Sequence, residues 1–131
     1  MAKQIGAGIM STGVEVVIAN VAEVDKTNVV KEMLNAKVIL LGSSTHGNDM
    51  LPQIAGFMAF LKDMKPKGRL GAAFGSYGWA GGAAKSIEDK MKEMGIEITS
   101  PLIQCQFVPD KEEMKKLYEY GVELGKKLSN K

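Results

Sequence analysis

Two short stretches of this chain carry residue types suited to binding chemistry rather than to building structure. In Ala72-Ala73-Phe74-Gly75-Ser76-Tyr77-Gly78-Trp79-Ala80-Gly81-Gly82 an apolar run gives way to four glycines, the only tryptophan and one of three tyrosines. Glycine supplies positive φ and lets a ligand approach the backbone, whereas aromatic rings on such a loop are poorly placed to fill a core. A plain turn needs one or two glycines and no aromatics, with Trp79 then capping a hydrophobic edge. The second stretch, Ser43-Ser44-Thr45-His46-Gly47-Asn48-Asp49, reads as a purely polar loop after the apolar run KVILLGSS. Strand, loop and helix start, in that order, place such loops at the carboxyl edge of a parallel sheet, where open α/β folds bind ligands.

Several chemistries are excluded by what these stretches lack. Zinc or iron sites need several coordinating ligands, and His46 is the only histidine. Its plain reading is a solvent-facing loop residue, and its sharper one a contact to a ring edge. The lone Cys105 excludes an internal disulfide or a CxxC pair and reads as a small buried hydrophobe, in keeping with a reducing cytoplasm. Gly6, Gly8 and Gly13 follow no strand, and the later glycines have the wrong spacing and bulky aromatics where a pyrophosphate would approach, so neither set is a dinucleotide fingerprint. A receiver-type phosphorylation site needs an acidic residue where Ser43 and Ser44 stand. Met10, Met33, Met58, Met91 and Met114 fall at inward helical positions and are read as core. No catalytic constellation is visible.

The elements that must position the two loops follow from hydrophobic periodicity. Residues 2–11 read as a helix, with Ile5, Ile9 and Met10 at helical spacing and Gly13 as its stop. Val14 to Val21 is β-branched and reads as a strand. Asp25 or Thr27 caps a helix to about Asn35 with Val29, Val30, Met33 and Leu34 inward. The run 37–43 is a strand buried on both faces. A helix starting at Leu51-Pro52 carries Ile54, Phe57, Met58 and Leu61 to the breaker Lys65-Pro66-Lys67-Gly68. Residues 69–75 form a strand and 82–94 a helix, with Ile87, Met91 and Met94 inward and Gly95 at its end. Residues 96–107 hold one strand interrupted at Ser100-Pro101, since proline cannot donate into a ladder. Asp110 and Glu113 announce a last helix with Met114, Leu117, Tyr118, Val122, Leu124 and Leu128 inward. Such alternation argues an α/β fold, a parallel sheet covered by helices on both faces.

With 131 residues and 45% hydrophobic content the chain reads as one globular domain, 1–131. A net charge of +2, from 17 basic and 15 acidic residues interspersed along the chain, announces neither nucleic acid nor an acidic tail. The amino-terminal apolar run is too short for a secretion signal or a membrane span, so a soluble cytoplasmic protein is expected.

The two loops are chemically complementary. Ser43 to Asn48 offers hydroxyls, an amide and backbone N–H groups to a polar ring edge, and Tyr77 and Trp79 offer faces for stacking. A flavin, planar with a pyrimidine rim of alternating donors and acceptors, needs both. In GSSTHGNDMLPQIAGFMAFL (42–61) and KGRLGAAFGSYGWAGGAAKSIEDKMKEMG (67–95) the sequence resembles the flavodoxin-like FMN domain of A-type flavoproteins, the flavodiiron family, and the resemblance runs over the whole chain. It implies a flavodoxin-like three-layer domain that binds FMN through Ser43, Ser44, Thr45, His46, Gly47 and Asn48 on the pyrimidine side. Gly75, Ser76, Tyr77, Gly78, Trp79, Ala80 and Gly81 would hold the ring from the other edge. Gly47 resembles the glycine that in flavodoxins lets a peptide near the flavin adjust when the ring is reduced.

The family's diiron half is rich in histidine, so oxygen or nitric oxide reduction is not assigned to a chain with one. By the same resemblance the first strand and the hydroxyl-rich phosphate loop would precede residue 1, making this an amino-terminally truncated domain. In the family's strand order that strand is interior, and its absence leaves a gap of about 10 Å. Strand 14–21 is then expected to close onto 37–43. Two functions remain open: an FMN electron carrier between a reductase and a diiron oxidoreductase domain, or a truncated scaffold with impaired FMN binding that serves only as an interaction module. Self-association stays open, and neither nucleic acid nor membrane is expected as a partner.

Overall fold

A computed structural model describes residues 1–20, 23, 26–46, 49–63, 69–78, 82–106 and 109–129. The fold divides into two compact units, Met1–Ile18 with Val108–Lys131, and Ala19–Phe107.

The larger unit is the sheet and its helices. Helix α2 (Lys26–Asn35) leads to β1 (Val38–His46), which turns back into β2 (Asp49–Met50); then come α3 (Pro52–Asp63), β3 (Leu70–Tyr77), α4 (Ala83–Glu93), β4 (Glu97–Ile98) and β5 (Ile103–Gln106). β1 and β3 pair in parallel from Val38↔Leu70 to Ser44↔Ser76. On the other side of β3, β4 pairs with its start and β5 with its end, both in parallel. β4 and β5 are thus the one interrupted strand expected over 96–107, and the break spans Ser100-Pro101, where a backbone donor is missing. The ladder still reaches Thr99, whose N–H donates to the Gly71 carbonyl at 3.0 Å.

Alternation in β1 turns Ile39, Leu41 and Ser43 to one face, in register with Gly71, Ala73 and Gly75 of β3. That face is packed by α4 and α3 through a core containing Phe57, Met58, Leu61, Ile87, Met91 and Ile96. Val29 and Met33 pack against the same core. The small residues of β3 set how close α4 lies: a side chain at Gly71 would meet Ile96 at 2.7 Å, and one at Gly75 would meet Ala84 at 3.5 Å. Arg69 donates from Nη1 to the carbonyls of Met33 and Ala36 at the carboxyl end of α2, the first of which also accepts the Ala36 N–H. Gly95 follows α4 at φ 88°, the left-handed stop expected there. Proline opens α3 at its first position, where no backbone donor is needed.

In the smaller unit α1 (Ala2–Met10) packs on α5 (Lys111–Ser129). Their backbones nearly touch. A Cβ on Gly8 would lie 2.1 Å from the Tyr118 carbonyl oxygen, and one on Gly121 would lie 2.1 Å from that of Ile5. α5 opens with the capping box anticipated from Asp110 and Glu113: the Glu113 N–H donates to Asp110 Oδ1 at 2.8 Å, and the Asp110 N–H donates to Glu113 Oε1 at 3.4 Å.

Four readings are corrected by the structure. Residues 14–20 form no strand, so the expected pairing of this segment with 37–43 is not made. The β-branched run keeps an alternation, Val14 and Val16 being half-buried and Glu15 and Val17 exposed. Val16 and Ile18 lie beside Gly6 of α1, but pleating without a hydrogen-bonded neighbour does not make a ladder. Met10, Met114 and Tyr118, read as inward, are 49%, 43% and 36% exposed. The α1–α5 seam runs through glycines, which displaces the large side chains to its margins. Ser44 to His46, read as loop beyond the strand 37–43, belong to β1, and Ser76 and Tyr77, read as loop beyond 69–75, belong to β3. The expected caps at Asp25 or Thr27, the inward positions Val30 and Leu34, and the breaker 65–68 concern residues or side chains outside the described ones.

Candidate functional site

The carboxyl ends of β1, β3 and β5 come together because the parallel register is fixed deep in the sheet and carried upward without slippage. Ser43 stands beside Gly75 and Ser44 beside Ser76; across β3, Gly75 meets Gln104, Ser76 meets Cys105 and Tyr77 meets Gln106. In β1 and β3 the apolar residues end one or two positions earlier, so these two strands change from core to polar at the same level, while β5 keeps the buried Cys105 beside Ser76. Glycine at 75 is required by the close approach: an added Cβ would fall 2.7 Å from the Ser43 carbonyl oxygen.

The hydroxyls at this level divide into two groups. Ser43 is buried and structural: its Oγ donates to the Ser44 carbonyl at 2.7 Å and accepts the Leu51 N–H at 2.9 Å, tying β1 to the entry of α3. Thr45 Oγ1 accepts the Ala83 N–H at 3.3 Å, satisfying one donor at the start of α4. Ser44 and Ser76 face outward. Ser76 Oγ donates to Ser44 Oγ at 3.3 Å, a long and exposed contact. Each hydroxyl retains capacity toward a further partner. Tyr77 and Gly78 are half-buried beside them, and Gln106 Nε2 donates to the Gly78 carbonyl at 3.1 Å, fixing where the chain leaves β3.

Beyond Thr45 the chain turns sharply. Thr45 pairs with Met50 and His46 with Asp49 in antiparallel register. Asp49 Oδ1 accepts the Met50 N–H at 2.7 Å. Its carboxyl is held below the ordinary carboxylate range chiefly by a hydrogen bond from the Ser86 side chain, then by that N–H, with the charge of Lys90 adding to both.

Of the residues anticipated for the site, the structure brings Ser43, Ser44, Thr45 and His46 of β1 together with Gly75, Ser76, Tyr77 and Gly78 on adjacent strands. Gly47, Asn48, Trp79, Ala80 and Gly81 lie outside the described residues, as does the side chain of His46. Ser86 and Gln106 lie outside the two stretches that stand out in the sequence. Gln106 is signalled by IQCQF, a strand whose alternation puts Gln104 and Gln106 on the exposed face and Cys105 on the buried one. Ser86 carries no such local signal, since only the fold brings it near Asp49.

The family is decided by comparison. The flavodoxin family model matches residues 1–121, and the chain belongs to the flavodoxin family. Its structure resembles that of a flavodoxin from the domain Archaea, with a TM-score of 0.88 and 34% identity over 98% of this chain and 87% of that one. It also resembles the flavodiiron protein of Giardia intestinalis, with a TM-score of 0.90 and 25% identity over 98% of this chain and 32% of that one. Among curated sequences, a nitric oxide reductase of Moorella thermoacetica is 36% identical over 131 residues, 99% of this chain and 33% of the relative. An anaerobic nitric oxide reductase flavorubredoxin of Vibrio vulnificus is 36% identical over 128 residues, 96% of this chain and 26% of the relative. The chain therefore spans about a third or less of these curated relatives' length.

FMN is the cofactor of the flavodoxin family. The residues at the rim fit the ring part of that molecule: outward hydroxyls of Ser44 and Ser76 are donors and acceptors for a heteroaromatic edge, and Tyr77 stands next to them. No helix among the described residues is long and apolar enough to cross a membrane.

Proposed function

We propose that residues 1–131 act as one FMN-carrying electron-transfer module, which accepts electrons from a reductase and delivers them to a diiron oxygen or nitric oxide reductase domain. The observation that supports this best is the adjacency of polar ends on β1 and β3, the Ser44 and Ser76 hydroxyls 3.3 Å apart with Tyr77 and Gln106 one register position further on. Bound FMN supplies one- or two-electron storage, which no side chain of this protein provides. The chain's own residues then have three tasks. Ser43 to Asn48 present hydroxyls and backbone groups to the pyrimidine edge. Gly75 to Gly81 close on the opposite edge, with Tyr77 and Trp79 as stacking surfaces worth about 0.5–1.5 kcal/mol each beyond area burial. Ser43 and Thr45, whose hydroxyls are engaged with the backbone, keep these two segments in place.

The relatives named as nitric oxide reductases motivate the choice of acceptor. The test is stopped-flow mixing of the reduced, FMN-loaded chain with a separately purified diiron domain of such a relative. Reoxidation whose rate rises with acceptor concentration is expected. A rate that never exceeds that in buffer alone would remove the electron-transfer assignment.

A further inference from the structure

The backbone ladder between β3 and β5 ends at the pair Tyr77↔Gln106, and a side chain carries it one bond further. Gln106 Nε2 donates to the Gly78 carbonyl at 3.1 Å, so the first residue beyond β3 receives from an amide side chain what another rung would have given it. Residues paired across a parallel ladder turn their side chains to the same face, about 4.8 Å apart. The Gln106 side chain is therefore also the lateral neighbour of the Tyr77 ring. On the other side of β3 the tie is different in kind. Ser76 is joined to Ser44 of β1 through two hydroxyls 3.3 Å apart, and these are the groups assigned to the ring edge. A ligand that engages both hydroxyls leaves the Gln106 bond as the side-chain contact that still orients the end of β3.

Resting on the FMN reading above, we infer that Gln106 is a positioning residue for ring stacking: it holds the Gly78 carbonyl and flanks Tyr77, so that the tyrosine ring is presented to the flavin at a fixed angle. No contact with the flavin is assigned to Gln106 itself. The role needs a hydrogen-bond donor at the end of a long side chain, which methionine lacks and lysine has.

The experiment reads FMN and riboflavin dissociation constants, beside the thermal unfolding of the flavin-free chain, for Gln106→Met, Gln106→Lys, Tyr77→Leu and the pair Tyr77→Leu with Gln106→Met. Gln106→Met is expected to weaken both flavins alike, by about two- to tenfold, the worth of one hydrogen bond. Gln106→Lys, which keeps a donor, should bind both within about twofold of the parent. Because Gln106 acts through the tyrosine ring, its removal should change affinity by less than about twofold once Tyr77→Leu has taken that ring away. Gln106 is exposed, so the midpoint of the flavin-free chain should hardly move in either Gln106 variant, which separates positioning from a general loss of structure. Parent-like binding by Gln106→Met, a loss that Gln106→Lys does not restore, an equal loss with and without the Tyr77 ring, or a midpoint that falls together with affinity would each overturn the positioning role while leaving the FMN reading intact. A parent chain that binds neither flavin would overturn the FMN reading itself and the positioning role with it.

Discussion

In the pair α1–α5 two backbones meet directly, glycine against carbonyl, with no room for a methyl group at Gly8 or Gly121. At the carboxyl end of β1 and β3 the backbones stand one ladder spacing apart, and the contacts fall to hydroxyls: Ser43 to Leu51, Thr45 to Ala83, Ser76 to Ser44. The first arrangement is intolerant of added volume and indifferent to polarity. The second is tolerant of volume at its outer hydroxyls and depends on donors and acceptors. A scaffold contact and a ligand-facing rim are thereby distinguishable by which substitution harms them.

The sharpest way to break this contrast is Gly121→Leu. An added Cβ has backbone on the far side that cannot rotate away, so the helices must separate, and a loss of about 3 kcal/mol or more is expected in urea unfolding. A variant with parent stability would mean that the two helices are not in contact as described. At the rim, Thr45→Val keeps the volume and removes the acceptor for the Ala83 N–H, for an expected loss of about 1 kcal/mol by the same measurement. No loss would show that water replaces the threonine.

Glycine itself is not the issue in a helix, its surroundings are. Gly56 in α3 is exposed with nothing within 4 Å of an added Cβ, so Gly56→Ala should stabilise by about 0.5–1 kcal/mol, opposite in sign to Gly121→Leu. The smallest effect is electrostatic. The folded state holds the Asp49 carboxyl below its ordinary value of 3.8, so its contribution to stability is present in full above that value and is lost as pH falls through the folded one. The difference in urea midpoint between the parent and Asp49→Ala should therefore be small at neutral pH, because the group is exposed, and should vanish in strong acid. A difference that grows on acidification would contradict the Ser86 and Met50 hydrogen bonds.

The two regions also differ in how readily the sequence discloses them. The rim is legible because its residues fit neither helix nor sheet: a run such as Gly75 to Gly82 violates every local preference, and a violation is itself a signal. Its boundaries are less legible, since Ser44 to His46 and Ser76-Tyr77 stay in their strands through ladder bonds that local polarity does not reveal. The helix seam is almost silent. Gly8 and Gly121 look like weaknesses in otherwise good helices, and only the partner backbone explains them, so Met10, Met114 and Tyr118 were placed inward on periodicity alone. The segment 14–20 failed for a related reason: β-branched composition records a preference for a pleated surface, whereas a strand needs a neighbour to bond. The meeting of Asp49 with Ser86 is silent in the sequence because 37 positions separate the two residues.

The central claim, that the rim formed by β1 and β3 holds the ring of FMN, is tested most directly by titrating the 131-residue chain with FMN and following flavin fluorescence and the visible spectrum. Trp79→Ala and Tyr118→Ala serve as paired variants, the first on the proposed stacking segment and the second on the exposed side of α5. The account predicts a yellow complex, quenched flavin emission, and a loss of several-fold to about tenfold in affinity for Trp79→Ala with none for Tyr118→Ala. A colourless protein that ignores added FMN, or two variants that bind it equally well, would contradict it.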